Sequence, residues 1–267
     1  MPELPEVEVI RFFLESHLIG KNISDLKIIT PKSFIGNPEL VEGQKIISTS
    51  RIGKQLSIHL RNGLILLFHL KMTGQLVLNT PNKYTRLILK INNKLSLYFN
   101  DLRKFGWVKI LTQNELVEAQ KNLGIDILSP NFTLNYFKKQ LQNTSQPIKS
   151  ALLDQTKFAG IGNIYANDAL FLAKIHPISP LNKISSKKIS LLHHFLIKIM
   201  LESIKNGGST AKDKGYIKPD NTPGQHQFHF QVYQRDKQPC LVCQTPIKRI
   251  KIGGRGTFYC PKCQKIE

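Results

Sequence analysis

The sequence lacks any hydrophobic run long enough to cross a lipid bilayer. Its longest apolar stretches, residues 63–70 and 191–200, fall well short of the ~20 residues that a membrane-spanning helix needs. The chain begins Met-Pro-Glu-Leu-Pro-Glu, so acidic side chains occupy the place where a secretory signal carries cations. We therefore expect a soluble cytoplasmic protein that has no membrane partner.

Cysteine is absent from most of the chain, because all four cysteines lie between positions 240 and 263. A disulfide framework is normally spread over a sequence, so this clustering favours a metal site. The spacing Cys240-x2-Cys243 and Cys260-x2-Cys263 places two thiolates on each of two tight turns, which together complete a tetrahedron of soft ligands. We expect one structural Zn²⁺. Unligated thiols or two disulfides are the alternative.

Acidic residues are scarce: 18 Asp and Glu stand against 38 Lys and Arg, a formal net charge of +20. A charge of this size predicts a polyanionic partner, either nucleic acid or an acidic membrane surface. A generally basic proteome is the alternative. Residues 171–267 carry 17 basic and 5 acidic side chains, a net charge of +12, so we expect the C-terminal third to be the main electrostatic anchor.

Hydrophobic periodicity predicts a helix near the N-terminus and then a run of strands. Apolar residues recur at helical spacing from Val7 to Leu18, and Gly20 is placed to end the helix. Asn62-Gly63 and Asn92-Asn93 fit hairpin turns between short alternating segments. The predicted strands are residues 55–60, 64–70, 75–78, 86–91, 95–99 and 107–111. This pattern is typical of an antiparallel sandwich or barrel.

The pattern changes after a break at residues 128–131. Helical periodicity follows over residues 132–141, 150–154, 163–172 and 186–205. A polar segment, residues 209–227, predicts a long loop, and two short β-like runs at 228–233 and 257–259 surround the cysteines. We expect an α+β protein in three parts: a β-sandwich domain over 1–129, a helical domain with the loop over 130–227, and a zinc hairpin over 228–267.

The N-terminus carries a candidate nucleophile. Removal of Met1 would leave Pro2 with a free secondary amine, whose pKa of about 7.7–8.0 keeps part of it unprotonated near neutral pH. Such an amine can attack a sugar C1′ to give an iminium ion, which favours elimination of the 3′ phosphate. Glu3 and Glu6 could supply a general acid and tune charge or position water. The alternative is that these acids only stabilise the N-terminus of a helix.

Several short motifs follow one another along nearly the whole chain. They are Pro2-Glu3-Leu4-Pro5-Glu6-Val7-Glu8, Arg51-x-Gly53-Lys54, His69-Leu70-x-Met72-Thr73-Gly74, Asp101-x-Arg103-Lys104-Phe105-Gly106, Leu153-Asp154-Gln155, Ala159-Gly160-Ile161-Gly162-Asn163-Ile164-Tyr165 and Arg255-Gly256-Thr257-Phe258-Tyr259-Cys260-Pro261-x-Cys263-Gln264. Together they resemble bacterial formamidopyrimidine-DNA glycosylases. The endonuclease VIII relatives, which begin Pro-Glu-Gly-Pro-Glu, resemble the chain less.

The resemblance implies an N-terminal antiparallel β-sandwich with flanking helices, a helix–two-turn–helix domain and a C-terminal zinc-finger β-hairpin. It implies a bifunctional glycosylase and AP lyase of base excision repair, which removes oxidised purines such as 8-oxoguanine and formamidopyrimidines. Strand cleavage by β,δ-elimination would follow. By resemblance, Pro2 is the Schiff-base nucleophile and Glu3 the general acid, while Lys54 and Arg255 donate protons in β- and δ-elimination.

The resemblance also implies a set of DNA contacts. A lesion inside a stacked duplex is out of reach, so the nucleotide has to be everted and the gap filled. Met72, Arg103 and Phe105 match the family's void-filling residues, although core packing is the alternative for Met72 and Phe105. The predicted phosphate contacts and further DNA contacts are Lys54, His69, Tyr84, Lys149, Asn163 and Arg255. Histidine is usual at the position of Tyr84, so that contact differs from the family pattern.

Two further expectations concern the helical domain. Gly160 and Gly162 would let backbone N–H groups approach a phosphate at a helix N-terminus, and residues 209–227 would cap the everted lesion. The expected partner is double-stranded DNA that contains oxidised bases or abasic sites, and the expected state is a monomer in the bacterial cytoplasm, associated with the nucleoid. Two alternatives remain. One is a zinc protein that binds damaged DNA without catalysing a reaction, and the other is an endonuclease VIII-like enzyme for oxidised pyrimidines.

Overall fold

The computed structural model describes residues 1–92, 94–142, 145–212 and 215–266. The chain forms two compact units. The first unit comprises Met1–Asn122 and Ser203–Gln227, and the second comprises Leu123–Glu202 and Phe228–Glu267. Among the described residues, no helix has the length and apolar character that a membrane span requires. The predicted three-part division stays a prediction.

The first unit begins with helix α1, Leu4–Leu18. The apolar residues that predicted it form one buried face, including Val7, Ile10 and Leu14. Glu3 precedes the helix and Pro5 lies in its first turn, where a missing N–H costs nothing. The helix ends at Leu18, and Gly20 follows in the left-handed region at φ +82°. Both the helix and its end are confirmed.

Nine named strands of the first unit form two sheets. In chain order they are β1 (Ile23–Ile28), β2 (Phe34–Ile35), β3 (Ile46–Ile52), β4 (Gln55–Leu60), β5 (Ile65–His69), β6 (Gly74–Leu78), β7 (Thr85–Ile91), β8 (Leu95–Asp101) and β9 (Trp107–Leu111). One sheet has the order β1-β7-β8-β6, and the other has the order β2-β9-β5-β4-β3. All pairs are antiparallel except β2 with β9.

The core of the first unit lies between these sheets and under α1. It joins apolar residues of both sheets to the buried face of the helix. The rings of Phe68 on β5 and Phe99 on β8 meet edge to face with centroids 6.4 Å apart, so the two sheets pack directly. The expected α+β sandwich is confirmed. The turn at Asn62-Gly63 is also confirmed, whereas Asn93 of the second predicted turn lies outside the described residues.

Helix α2, Gln113–Gln120, was not predicted from the sequence. It buries only Leu116, so its apolar periodicity is weak. Its N-terminus is specified locally instead, because Thr112 accepts a hydrogen bond from the Glu115 N–H while the Glu115 carboxylate accepts one from the Thr112 N–H. Short 3₁₀ helices at Pro31–Ser33 and Pro38–Leu40 complete this part of the chain.

The second unit is mainly helical, with short strands. Its elements are β10 (Ile125–Asp126), α3 (Leu134–Gln140), α4 (Ile148–Leu152), β11 (Phe158–Ala159), α5 (Asn163–Leu172), a 3₁₀ helix (Leu181–Lys183), β12 (Lys248–Ile252) and β13 (Arg255–Tyr259). Helix α6, Ser186–Lys205, begins in this unit. The helices gather around an aromatic cluster, in which Phe132 stacks on His193 and meets Phe158 edge to face. The four predicted helices are present, with α5 and α6 at the expected bounds. Helix α3 is shorter than the predicted 132–141, and α4 begins and ends two residues before the predicted 150–154.

The predicted β-like run at residues 228–233 is wrong. A 3₁₀ helix occupies His226–His229, and the backbone N–H groups of the following residues donate to the carboxylate of Asp168 at 3.0 Å. These donors are therefore used by a side chain rather than by a strand partner. The zinc hairpin itself is confirmed, because β12 and β13 pair antiparallel from Lys248–Tyr259 to Ile252–Arg255.

Candidate active site and nucleic-acid interface

The predicted nucleophile and its two acids are buried at the N-terminal end of α1. Pro2 is buried, Glu3 is 2% exposed and Glu6 is fully buried. The backbone N–H of Glu3 donates to Glu6 Oε2 at 2.8 Å, which fixes the residue that follows Pro2. The fold thus buries Pro2 together with the two acids that follow it in the chain.

Glu6 also ties the N-terminus to the segment predicted as a lesion-capping loop. Its Oε1 accepts a hydrogen bond from the Ser209 N–H at 2.8 Å, so each carboxylate oxygen holds a different backbone segment. Tyr216, in the same segment, is buried and donates its O–H to the Gly207 carbonyl at 3.1 Å. Burial and the nearby charge of Glu6 raise the pKa of Tyr216 well above its ordinary value. Tyr216 therefore stays neutral.

In the described parts of residues 209–227, no regular helix or strand occurs before residue 226, yet the segment is internally hydrogen-bonded. Thr210 joins the two ends of the segment. Its N–H donates to Gln227 Oε1 at 3.0 Å, and its hydroxyl accepts from the Gly224 N–H at 2.9 Å. Asp213 and Lys214 lie outside the described residues. The predicted long loop is thus a folded segment anchored at both ends.

Lys54 lies in the turn between β3 and β4, where it is half-buried. Arg51 supports this turn by donating to the Gly53 carbonyl at 3.1 Å, and it also donates to Glu8 Oε2 at 2.6 Å. Burial alone would raise the pKa of Glu8, but the hydrogen bond from Arg11 and the charge of Arg51 outweigh it and lower the pKa. Ionised Glu8 therefore links α1 to the turn that presents Lys54.

His69 ends β5 and is held as a neutral hydrogen-bond donor. Burial, together with the charges of Lys71 and Lys54, lowers its pKa to about 3. Its Nδ1 lies 3.1 Å from the Lys71 N–H and accepts that hydrogen bond, which places the ring proton on Nε2. A neutral imidazole with Nε2–H can donate to a phosphate oxygen at any physiological pH.

The three predicted void-filling residues are exposed at the surface of the first unit. Met72 is 38% exposed and Phe105 is 54% exposed, so neither packs in the core. The guanidinium of exposed Arg103 lies 4.7 Å from the centroid of the Phe105 ring. Half-buried Tyr84 is close to them in the fold, since its carbonyl accepts a hydrogen bond from the Asp101 N–H at 2.9 Å. This arrangement suits wedges that enter a base stack.

The remaining predicted contacts belong to the second unit. Asn163 begins α5, and its Nδ2 donates to the Gly256 carbonyl at 3.1 Å. The Gly160 N–H donates to Gln155 Oε1 at 3.1 Å, and the approach of backbone N–H groups near Gly160 and Gly162 to a phosphate stays a prediction. Arg255 begins β13 and is exposed, directly after the Gly253-Gly254 turn.

Lys149 is fully buried in the second unit, on α4. Its ammonium donates to Thr257 Oγ1 at 2.7 Å, to the Gly256 carbonyl at 3.2 Å and to Asn167 Oδ1 at 3.4 Å. A buried ammonium is tolerated only with such partners. The side chain therefore holds strand β13 against the helices, a role that the sequence did not suggest, and its predicted contact with DNA stays a prediction.

The four cysteines form a metal site. The sulfur atoms of Cys240, Cys243, Cys260 and Cys263 all lie within 4.8 Å of one another, with 3.4 Å between Cys243 and Cys260 and 3.9 Å between Cys240 and Cys263. Tetrahedral Zn²⁺ with Zn–S bonds near 2.3 Å requires sulfur separations of about 3.8 Å. The four thiolates fit one structural zinc ion, and they leave no ligand position for substrate.

Three known protein families match the chain in succession. The formamidopyrimidine-DNA glycosylase N-terminal domain matches residues 1–108, and the formamidopyrimidine-DNA glycosylase H2TH domain matches residues 123–214. The zinc finger found in FPG and IleRS matches residues 237–266. The chain belongs to the formamidopyrimidine-DNA glycosylase family. The resemblance inferred from the motifs is thereby confirmed, as are the H2TH domain and the zinc finger.

Individual relatives span the full length of this family member. The formamidopyrimidine-DNA glycosylase of Listeria innocua is 39% identical and matches 99% of this chain and 100% of its own. The crystal structure of the MutM (Fpg) protein from Thermus thermophilus covers 100% of both chains with a TM-score of 0.93 and 35% identity. A Lactococcus lactis Fpg variant, solved with Fapy-dG-containing DNA, covers 99% of this chain and 100% of its own with a TM-score of 0.92 and 34% identity.

Sequence reasoning missed the residues that position the site rather than act in it. Among these are Glu8, Asp101, Asn167 and Asp168, all of which make hydrogen bonds to backbone or side chains of other segments. Glu8 and Asp101 were visible in family motifs, but their roles were not. The only signal for Asp101 in the sequence was its place in the same motif as Phe105 and Gly106.

Proposed function

We propose that this chain is a bifunctional DNA glycosylase and AP lyase that excises oxidised purines from double-stranded DNA in base excision repair. The observation that carries the proposal is the buried Pro2-Glu3 segment at the start of α1, hydrogen-bonded through Glu6 to the folded segment at Ser209. The first unit thus places a candidate nucleophile beside a candidate lesion-capping segment. The family match and the relative solved with Fapy-dG-containing DNA support the substrate class.

DNA binding would use both the exposed wedges and the hydrogen-bond donors described above. Exposed Met72, Arg103 and Phe105 suit insertion into the gap left by an everted nucleotide, with the Arg103 fork facing the orphaned base. Neutral His69 and the cations Lys54 and Arg255 suit phosphate contacts. The net charge of +20 supports sequence-independent attraction to the duplex.

The chemistry would begin once Met1 is removed, since Pro2 nitrogen then becomes a secondary amine. This nitrogen attacks C1′ of the everted nucleotide, the N-glycosidic bond breaks, and the base leaves with the electron pair and with the proton that the Pro2 nitrogen gives up. Glu3 protonates the sugar ring oxygen as the ring opens, which gives an iminium ion. Loss of the C2′ proton to solvent then expels the 3′ phosphate, and loss of a second sugar proton expels the 5′ phosphate. Water finally hydrolyses the iminium bond and frees the Pro2 nitrogen. Lys54 and Arg255 are the proposed proton donors of these two steps.

The structural zinc takes no part in these steps. When bound, it fixes the fold of the hairpin whose strand β13 begins with Arg255. Lys149 and Asn163 hold the same strand through Thr257 and Gly256. These contacts support the proposal that strand β13 holds Arg255 where it can reach a phosphate.

Borohydride trapping on a duplex with 8-oxoguanine opposite cytosine tests the proposal. The expected result is a reduced cross-link on Pro2 of the Met1-free chain, located by intact-mass and peptide mass spectrometry. Pro2→Gly should lower single-turnover cleavage by about 100-fold or more while duplex affinity stays near wild type. Pro31→Gly, at an exposed proline of the same unit, is the matched control.

A cross-link on another side chain, or base release without any cross-link, would overturn the Pro2 mechanism. Binding of lesion DNA with no cleavage would favour the zinc protein that binds damaged DNA without catalysing a reaction. A competition in which oxidised pyrimidines are excised faster than oxidised purines would favour the endonuclease VIII-like alternative.

A further inference from the structure

The residues proposed to fill the gap in DNA lie on two neighbouring loops. The Met72 loop, residues 70–73, joins β5 to β6, and the Phe105 loop, residues 102–106, joins β8 to β9. Each loop crosses from one sheet to the other. Their ends are also paired, since His69 lies opposite Trp107 in one sheet and Gly74 lies opposite Asp101 in the other. The fold therefore sets the two loops side by side at one end of the sandwich.

The carboxylate of Asp101 joins these loops. Asp101 is 1% exposed, and its Oδ1 accepts hydrogen bonds from the Thr73 hydroxyl at 2.5 Å and from the Arg103 N–H at 3.1 Å. Its Oδ2 accepts from the Gly106 N–H at 2.7 Å. The Arg103 N–H also lies 3.0 Å from Thr73 Oγ1. One buried side chain thus holds the Met72 loop and both ends of the Phe105 loop.

Backbone geometry leaves the loops little room to move separately. Lys71 and Lys104 each adopt the left-handed region, at φ +51° and +59°, a conformation that persists only when its surroundings enforce it. A Cβ on Gly74 would lie 2.4 Å from the Leu70 carbonyl oxygen, and one on Gly106 would lie 2.6 Å from Phe99 Cζ. Close packing and hydrogen bonds therefore specify the same arrangement.

We propose that Asp101, through Thr73, is a positioning residue that makes the two loops one insertion element. Met72, Arg103 and Phe105 then enter the duplex together, because moving one loop alone breaks the hydrogen bonds of the shared carboxylate. A preformed element loses less conformational freedom when it binds than two independent loops would. The inference rests on the proposed function for what the element does, but the coupling between the loops is a property of the fold.

The proposal predicts that the effects of changing Met72 and Phe105 are not independent. Residues that act through one rigid element show a coupling in a double-mutant cycle, whereas independent residues have additive effects on free energy. Breaking the link at Thr73 should remove that coupling. Thr73→Val keeps the volume and loses the hydroxyl, and Thr73→Ser keeps the hydroxyl as the matched control.

The experiment is a cycle of Met72→Ala, Phe105→Ala and the double variant in three backgrounds: wild type, Thr73→Ser and Thr73→Val. Affinity is measured for a duplex that carries an uncleavable tetrahydrofuran abasic analogue. We expect a coupling of about fivefold or more in wild type and Thr73→Ser, and a coupling near one in Thr73→Val. Thermal unfolding of each variant is measured first, and Thr73→Ala is a second hydroxyl-free variant should Thr73→Val fold poorly.

A second signal comes from Trp107, the only tryptophan of the chain, which directly follows Gly106. Stopped-flow fluorescence should resolve one insertion phase in wild type and Thr73→Ser, and two phases in Thr73→Val. Equal coupling and equal phases in the two Thr73 variants would overturn the inference. Because the abasic analogue requires no chemistry, absence of base excision by the wild type would instead count against the proposed function alone.

Discussion

The loops of the first unit and strand β13 of the second unit are held by buried groups of opposite charge. In the first unit the buried carboxylates of Glu6 and Asp101 accept hydrogen bonds from backbone N–H groups of neighbouring segments. In the second unit the buried ammonium of Lys149 donates to a hydroxyl and to a carbonyl of β13. A carboxylate can only fix donors and an ammonium can only fix acceptors. The backbone groups that each loop presents therefore decide which side chain can hold it.

The units also differ in how much apolar core supports these contacts. In the first unit, an extensive apolar core joins both sheets and α1 and supports the buried carboxylates of Glu6 and Asp101. The hairpin of the second unit packs on a small cluster around Val232 and Phe258, which includes two of the cysteines. Small elements without a large core depend on a metal or on specific polar links. We therefore expect that loss of the metal unfolds the hairpin and leaves the first unit folded.

Removal of zinc should give the largest effect. Chelation, or Cys260→Ser, should unfold the hairpin and lower DNA affinity at least tenfold, because structural zinc sites in zinc-finger peptides contribute about 10–16 kcal/mol of apparent binding free energy. The fluorescence of Trp107 in the first unit should stay unchanged. Added Zn²⁺ should restore the chelated wild type but not Cys260→Ser. Full DNA affinity in a protein without bound metal would remove the contrast between the units.

Substitution of Lys149 should have an intermediate effect. Lys149→Met leaves Thr257 Oγ1, the Gly256 carbonyl and Asn167 Oδ1 without this donor, which should lower the free energy of unfolding by about 2–3 kcal/mol. Denaturant unfolding without DNA measures it, with exposed Lys139→Met as the control. If Lys149 only contacts a phosphate, stability should stay unchanged and the salt dependence of DNA binding should fall by about one unit of slope.

Titration of His69 should give the smallest effect near neutral pH. Its pKa of about 3 in the fold lies below the ordinary value near 6.5, so only the unfolded chain takes up a proton between these values. This group therefore lowers the free energy of unfolding as the pH falls from 6.5 towards 3, and contributes no change above pH 7. NMR should show its ring neutral from pH 5 to 8. His69→Gln keeps a neutral donor, so a pH step in DNA affinity that this variant abolishes would contradict the assignment.

Some elements follow from the sequence because local patterns specify them strongly. Helix α6 at Ser186–Lys205 has the predicted bounds and strand β7 at Thr85–Ile91 begins one residue before the predicted 86–91, since helical spacing and alternation are clear there. Strand β1 at Ile23–Ile28 was missed because it buries only Ile23 and Leu26, with no alternation. The segment at residues 228–233 resembles a strand in composition, yet Asp168 takes its donors.

The sequence by itself determined the chemistry of the molecule: the paired cysteines, the proline and acids at the N-terminus, the basic charge and the family motifs all depend on residue identity and short spacing. Only the tertiary structure decided what holds that chemistry in place. Thr73 and Asp101 are 28 residues apart, Lys149 and Thr257 are 108 apart, and Glu6 and Ser209 are 203 apart. Hydrogen bonds act over about 3 Å, so such partners are defined only once the sheets and helices have brought them together.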